Sequence, residues 1–287
     1  MNPYQHLVHE YARFFREGKG YPLGGFVPAP RPEIEPAAPK VLIFSPHPDD
    51  ECIVGALALR LLREAGMNVI NVAVTQGSNK ARQAERFREL QNACGFLGFG
   101  LVQTAASGLE KINRQTRQQE PSAWQASVKI IASILAHQRP LAILFPHDRD
   151  WNSTHIGTHF LVMDALQTLG PDFACFLVET EYWGAMADPN LMVESSEADV
   201  ADMVTAVSFH VGEVRRNPFH LLLPAWMQDN VRRGSELVGG QGQAAPDFGF
   251  ATLYRLRRWN RGRVEPVLSG GRQLACTESP GKLFASP

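Results

Sequence analysis

From residue 41 onward the chain alternates short apolar runs with stretches of helical periodicity, and this alternation constrains the fold more than any other feature. Residues 41–45 (VLIFS), 68–75 (NVINVAVT), 141–146 (LAILFP) and 173–179 (FACFLVE) are short, apolar and rich in strand-forming side chains, as buried strands are. Between and around them, 51–64 (ECIVGALALRLLRE), a polar segment from about 80 to 97, then 124–137 and 155–169, read as helices. Repeated strand, helix, strand succession demands crossover connections, which are right-handed, and a sheet covered on both faces. The expected fold class is therefore α/β, Rossmann-like, with a mostly parallel sheet and helices on both faces.

The flanks follow other rules. Tyr4, Leu7, Tyr11, Phe14 and Phe15 recur at helical spacing, which predicts an amphipathic helix over 4–17 packed on the main body. Residues 18–40 contain six prolines and four glycines, and proline's fixed φ and missing N–H argue for an extended linker. Farther on, helices are expected over 197–216 and 223–237, with a loop at 239–246 (GGQGQAAP). Beyond 263 the composition turns to Gly, Ser and Pro. The organisation read from these features is an N-terminal helix and linker over 1–39, one domain over 40–263 and a loosely ordered tail over 264–287.

Charge excludes some functions. Lys and Arg number 28 against 29 Asp and Glu, so no nucleic-acid partner is expected. No apolar run approaches the roughly 18 residues of a membrane span. Cys52, Cys94, Cys175 and Cys276 lie far apart without a CxxC pair. They read as free thiols in a reducing compartment, and the N-terminus lacks the pattern of a signal peptide, so a cytoplasmic location is expected.

Ligands of a parallel α/β sheet collect outside the carboxyl ends of its strands. The first strand ends in Pro46-His47-Pro48-Asp49-Asp50-Glu51. Helix capping explains one aspartate at such a turn. Two adjacent aspartates beside a histidine ask for more. A second polar cluster, His147-Asp148-Arg149-Asp150-Trp151-Asn152-Ser153-Thr154-His155, follows the strand at 141–146, with His159 one helical turn later. Imidazole and carboxylate from two strand ends suit zinc with an open position for water, and a facial His-Asp-His set also accepts ferrous iron.

The run His47-Pro48-Asp49-Asp50-Glu51 after an apolar strand resembles the signature of the PIG-L / LmbE-like N-acetylglucosaminyl deacetylases. Thr75 and Gly77, Arg86-Phe87-Arg88-Glu89-Leu90 and Leu97-Gly98 extend the resemblance over about 41–169. The resemblance implies a zinc-dependent hydrolase that removes the acetyl group from an N-acetylglucosamine-type amino sugar or its conjugate. It implies metal ligands His47, Asp50 and His155, with His159 as the fallback, and Asp49 as general base. It also implies Arg86 as a substrate-binding residue, a small amino-sugar substrate and a homo-oligomer. The alternative for Arg86 is an ion pair with Glu85 or Glu89.

Departures from the family pattern also matter. Asn152 stands where the family carries a histidine that stabilises the oxyanion, and an asparagine amide still donates a hydrogen bond. Ser78 and Ser107 stand where acidic residues often occur. The alternative function is a zinc-retaining, carbohydrate-binding pseudoenzyme, which restoring histidine at Asn152 would distinguish. Thr75-Gln76-Gly77-Ser78 is either a phosphate cradle or a turn. Tyr182, Trp183 and Trp226 either stack on a sugar or belong to the core, and His210 is read as structural.

Overall fold

The structure, a computed structural model, describes residues 2–28 and 31–285. Residues 29–30 of the expected linker and 286–287 of the expected tail lie outside the described residues. Among those described, nine strands form one sheet: β1 Lys40–Ser45, β2 Asn68–Ala73, β3 Gly100–Gln103, β4 Ala142–Pro146, β5 Cys175–Thr180, β6 Leu191–Ser195, β7 Phe250–Asn260, β8 Arg263–Pro266 and β9 Arg272–Leu274. The order is β3-β2-β1-β4-β5-β7-β6-β9, with β8 paired to β7. β3 through β5 are parallel, β7 runs antiparallel to β5 and β6, and β9 is parallel to β6. The sheet is mostly parallel, as the sequence pattern predicts.

The helices are α1 Pro3–Gly18, α2 Asp50–Ile53, α3 Ala56–Arg63, α4 Gln83–Leu97, α5 Arg114–Gln119, α6 Pro121–Gln138, α7 Ser153–Gln167, α8 Glu197–Ser208, α9 Val211–Arg216 and α10 Leu223–Leu237. Alternate residues of β1 feed opposite layers. Val41 and Ile43 pack with Leu57 and Leu61 of α3, Leu90 of α4 and Ala206 of α8, whereas Leu42 and Phe44 pack with Trp124 and Val128 of α6 and Leu161 of α7. Both faces are thus buried, which is why the strand reads as an unbroken apolar run rather than an alternating one.

Two expected helices are each divided. The helix expected over 51–64 breaks at Gly55, where the Tyr254 hydroxyl donates to Val54 O at 2.9 Å and accepts from Leu57 N–H at 3.4 Å. A side chain from a distant strand thereby satisfies backbone groups the break exposes. The helix expected over 197–216 breaks at Phe209-His210, where His210 turns out of helical geometry (ψ 62°) and is fully buried.

The flanks need larger corrections. α1 does form, but its apolar stripe is not buried: Tyr4, Leu7, Val8, Tyr11 and Phe14 are all exposed. It touches the body through Gly18 against Leu221 and through the Tyr11 hydroxyl, which donates to Gln228 Oε1 at 2.6 Å. Residues 264–285, expected as a loose tail, pack on the body. β9 extends the sheet, and Leu274, Leu283 and Phe284 join the main apolar layer. Glycine and serine there make turns between packed anchors, and composition alone cannot separate turns from disorder. Phe284 packs edge-on to Phe176 with ring centroids 5.2 Å apart. Phe284→Ala is therefore expected to destabilise the fold by about 3–5 kcal/mol, the cost of emptying a buried aromatic site. Urea unfolding checks this, and a loss below about 1 kcal/mol would mean the segment contributes little to the core.

Candidate metal centre and active site

Strands β1 and β4 are hydrogen-bonded neighbours, so the loops leaving their carboxyl ends lie side by side. The first loop carries His47 into α2, and the second carries Asp150 and Asn152 into α7, whose first turn holds His155. Three donor atoms meet between them. His47 Nδ1 lies 3.2 Å from His155 Nε2, and Asp50 Oδ2 lies 3.5 Å from the former and 3.2 Å from the latter. Ligands about 2.0–2.1 Å from a tetrahedral zinc are spaced about 3.3 Å apart, so the triangle has the size a small divalent cation requires.

Electrostatics agrees with that fit. Burial pushes the Asp50 carboxyl up, but the two imidazoles outweigh it and hold Asp50 well below the usual carboxylate range. Burial opposes charge on His155, yet Asp50 and Asp150 on either side raise its pKa to about 10. The site therefore favours positive charge between these groups. Asp50 Oδ1 is buried and has no hydrogen-bond partner. A cation would satisfy these donors and remove the cost of leaving the oxygen unpaired.

Neighbouring groups surround the three donors. Asp50 Oδ2 accepts the His47 backbone N–H at 2.8 Å. Asp150 Oδ1 lies 3.5 Å from His155 Nδ1, and the same carboxylate accepts N–H groups from Asn152, Trp183 and Gly184. A carboxylate on this side of an imidazole favours the tautomer with its proton on Nδ1, leaving Nε2 free to face the triangle. His159 does not join the triangle. Its Nδ1 faces Pro146 O at 3.0 Å and its ring stacks on Phe145, so it is held inside the fold.

Asp49 sits beside the triangle with its backbone at φ 117°, a conformation non-glycine residues rarely adopt. Its N–H donates to Glu51 Oε2 at 3.0 Å, and Glu51 Oε1 faces His210 Nε2 at 2.7 Å. Both Glu51 and His210 side chains are fully buried. The pair thus holds the strained residue in position. Burial and the adjacent Asp50 charge raise the Asp49 pKa well above the usual carboxylate range. Sequence reasoning gives Glu51 no role and leaves His210 structural. The available signal is a histidine inside the apolar stretch AVSFHVG, which needs a buried partner.

Asp49 and His47 open onto a cavity of about 480 Å³ that Asn152, Trp183 and Arg86 also line. Asn152 caps α7, its side-chain oxygen accepting Thr154 N–H at 2.8 Å. That bond commits the oxygen and leaves the amide nitrogen as the donor for anything in the cavity. Arg86 pairs with neither Glu85 nor Glu89. It donates to Pro48 O at 2.9 Å, and its Nε lies 3.7 Å from Glu213. The segment 75–78 is a brace rather than a cradle: the Thr75 hydroxyl donates to Pro46 O at 2.7 Å and accepts Gly77 N–H. Of the three aromatics, Trp183 lines the cavity, Tyr182 is buried edge-on against His155, and Trp226 packs on the apolar layers.

A mostly parallel α/β sheet covered on both faces, with a His-Asp-His triangle at its carboxyl edge, defines a Rossmann-like protein with a geometry fitted to one cation. Residues 42–166 match the model of the PIG-L family, described as GlcNAc-PI de-N-acetylase, and over that stretch the chain is similar to this family. No curated protein matches the chain as a sequence. Solved structures share its fold. N,N'-diacetylchitobiose deacetylase from Pyrococcus horikoshii is 17% identical with a TM-score of 0.55, the alignment covering 89% of this chain and 93% of that one. The conserved protein TT1542 from Thermus thermophilus is 18% identical with a TM-score of 0.54, covering 76% and 94%. A 4-carboxy-2-hydroxymuconate hydratase from Pseudomonas putida is 14% identical with a TM-score of 0.54, covering 76% and 95%. A deacetylase and a hydratase on one scaffold mean that the reaction has to be argued from the site.

Proposed function

We propose that the protein is a metal-dependent N-deacetylase acting on an N-acetylglucosamine-type amino sugar or its conjugate. One observation carries the reading: the His47, Asp50, His155 triangle with an additional carboxylate, Asp49, beside it at the wall of a polar cavity. The match of residues 42–166 to the PIG-L family supports the amide as the bond attacked.

His47, Asp50 and His155 would hold the metal, with zinc the best match to the donor set and ferrous iron the alternative. When bound, such an ion would supply Lewis acidity, able to polarise the acetyl carbonyl and acidify water. The remaining steps belong to the chain. Asp49 takes a proton from the attacking water as its oxygen bonds to the acetyl carbon. The Asn152 amide donates to the carbonyl oxygen as negative charge develops there. Asp49 then returns the proton to the nitrogen as the C–N bond breaks, giving acetate and a free amine. Arg86, anchored on Pro48 O, positions polar groups of the sugar.

Among the described residues no helix is long and apolar enough to cross a membrane. The test is acetate release from N-acetylglucosamine derivatives by protein stripped of metal and then reloaded. Activity is expected to vanish on chelation and to return with one equivalent of Zn²⁺. Zinc bound at one equivalent with no release from any derivative would overturn the hydrolase and leave a sugar-binding protein.

A further inference from the structure

The wall of the cavity away from the metal triangle is built from three guanidinium groups and one carboxylate. Arg82, Arg86 and Arg216 line it, with Glu213 among them. Glu213 is fully engaged: Oε1 takes Arg82 Nη1 at 3.0 Å and lies 3.7 Å from Arg86 Nε, while Oε2 takes Arg216 Nη2. Glu85 approaches Arg82 from the solvent side, at 3.8 Å, and is itself more than half exposed. Asp49, the other acid on the wall, belongs to the metal end. Three guanidiniums therefore line the wall against a single lining carboxylate at that end, Glu213, which all three share.

Two of the guanidiniums are anchored, Arg82 on Glu213 Oε1 at 3.0 Å and Arg86 on Pro48 O at 2.9 Å. Arg216, whose side chain is 75% exposed, completes the wall at the mouth. Fixed like charges along a concave surface focus a positive potential into it, and guanidinium matches carboxylate and phosphate in shape as well as sign.

We infer that this wall is an anion subsite, and that the substrate is an amino sugar bearing a carboxylate or phosphate group that Arg216 and Arg82 receive while the N-acetyl group faces the metal. The inference rests on the deacetylase reading for the amino-sugar part of the ligand only; the anion part stands on the arginines.

The test compares three N-acetylated substrates: the neutral methyl glycoside of N-acetylglucosamine, N-acetylglucosamine 1-phosphate and N-acetylmuramic acid. One of the two anionic substrates is expected to exceed the neutral one in kcat/KM by about tenfold or more, the scale of a charge-assisted contact. Which one wins identifies phosphate or carboxylate. Arg216→Gln should cut that preference by about tenfold, and Arg216→Lys should retain most of it. Equilibrium binding of the same three compounds to the Asp49→Ala protein should rank them in the same order without turnover. Equal kcat/KM for all three, or a preference unmoved by Arg216→Gln, overturns the subsite and leaves the deacetylase intact. Absence of turnover with anion binding that depends on Arg216 sinks the deacetylase and supports the subsite; absence of both turnover and anion binding overturns the subsite as well.

Discussion

Asp49→Ala is expected to bind metal as the native protein does and to release acetate about 10²- to 10⁴-fold more slowly, the usual contribution of a positioned general base. Asp49 lies outside the triangle of donor atoms, so its loss should spare the metal. It borders the cavity, and burial next to Asp50 makes it more basic than a free carboxylate. His47→Ala, by contrast, removes one of three donors and should lose metal and turnover together. Elemental analysis of the purified variants alongside acetate release separates the two roles. Equal metal loss in both would mean that base and ligand have been assigned the wrong way round.

Glu51→Ala is expected to cost about 3–5 kcal/mol of folding stability, because it strips one partner from a fully buried ionic pair and leaves His210 facing a void. Raised pKa on His210, where Glu51 outweighs the opposing effect of burial, points to the same dependence. The substitution also removes the acceptor for Asp49 N–H, so turnover should fall in whatever fraction remains folded. Glu51→Gln keeps an oxygen for one of those bonds and most of the packing, and should recover a large part of the stability. Urea unfolding of both variants decides the matter. A loss below about 1 kcal/mol in Glu51→Ala would mean that the pair does not hold the turn.

The parallel half of the sheet was legible because its strands are buried on both faces and announce themselves as apolar runs. β7 was not. Its residues alternate apolar side chains with Arg255, Arg257 and Arg258, which reads as surface until Glu179 is seen fully buried on β5 and paired with Arg255 at 2.6 Å. An arginine in an interior strand is acceptable only with such a partner, and the partner lies 76 residues away. The site was legible for a similar reason in reverse. His47, Asp50 and His155 sit at strand ends, where position follows from topology, so local pattern located the two clusters that hold them, and the resemblance to a known family singled out the three. Glu213 and Arg216 come from α9, outside the parallel unit, and no periodicity ties that short helix to the cavity. Nor could periodicity show that the stripe of α1 faces solvent, since spacing reports which side is apolar and not what covers it.

The place of β7 has a consequence for the order in which the protein can be made. This strand, among the last to leave the ribosome, lies between β5 and β6 rather than at an edge. Everything needed to bring His47, Asp50 and His155 together has emerged by residue 180, whereas β6 has no neighbour to pair with until some sixty residues later. Synthesis therefore separates two events: the parallel strands that carry the three donors emerge first, and β5 and β6 then wait, with one edge of β5 and both edges of β6 open, for one strand to join them.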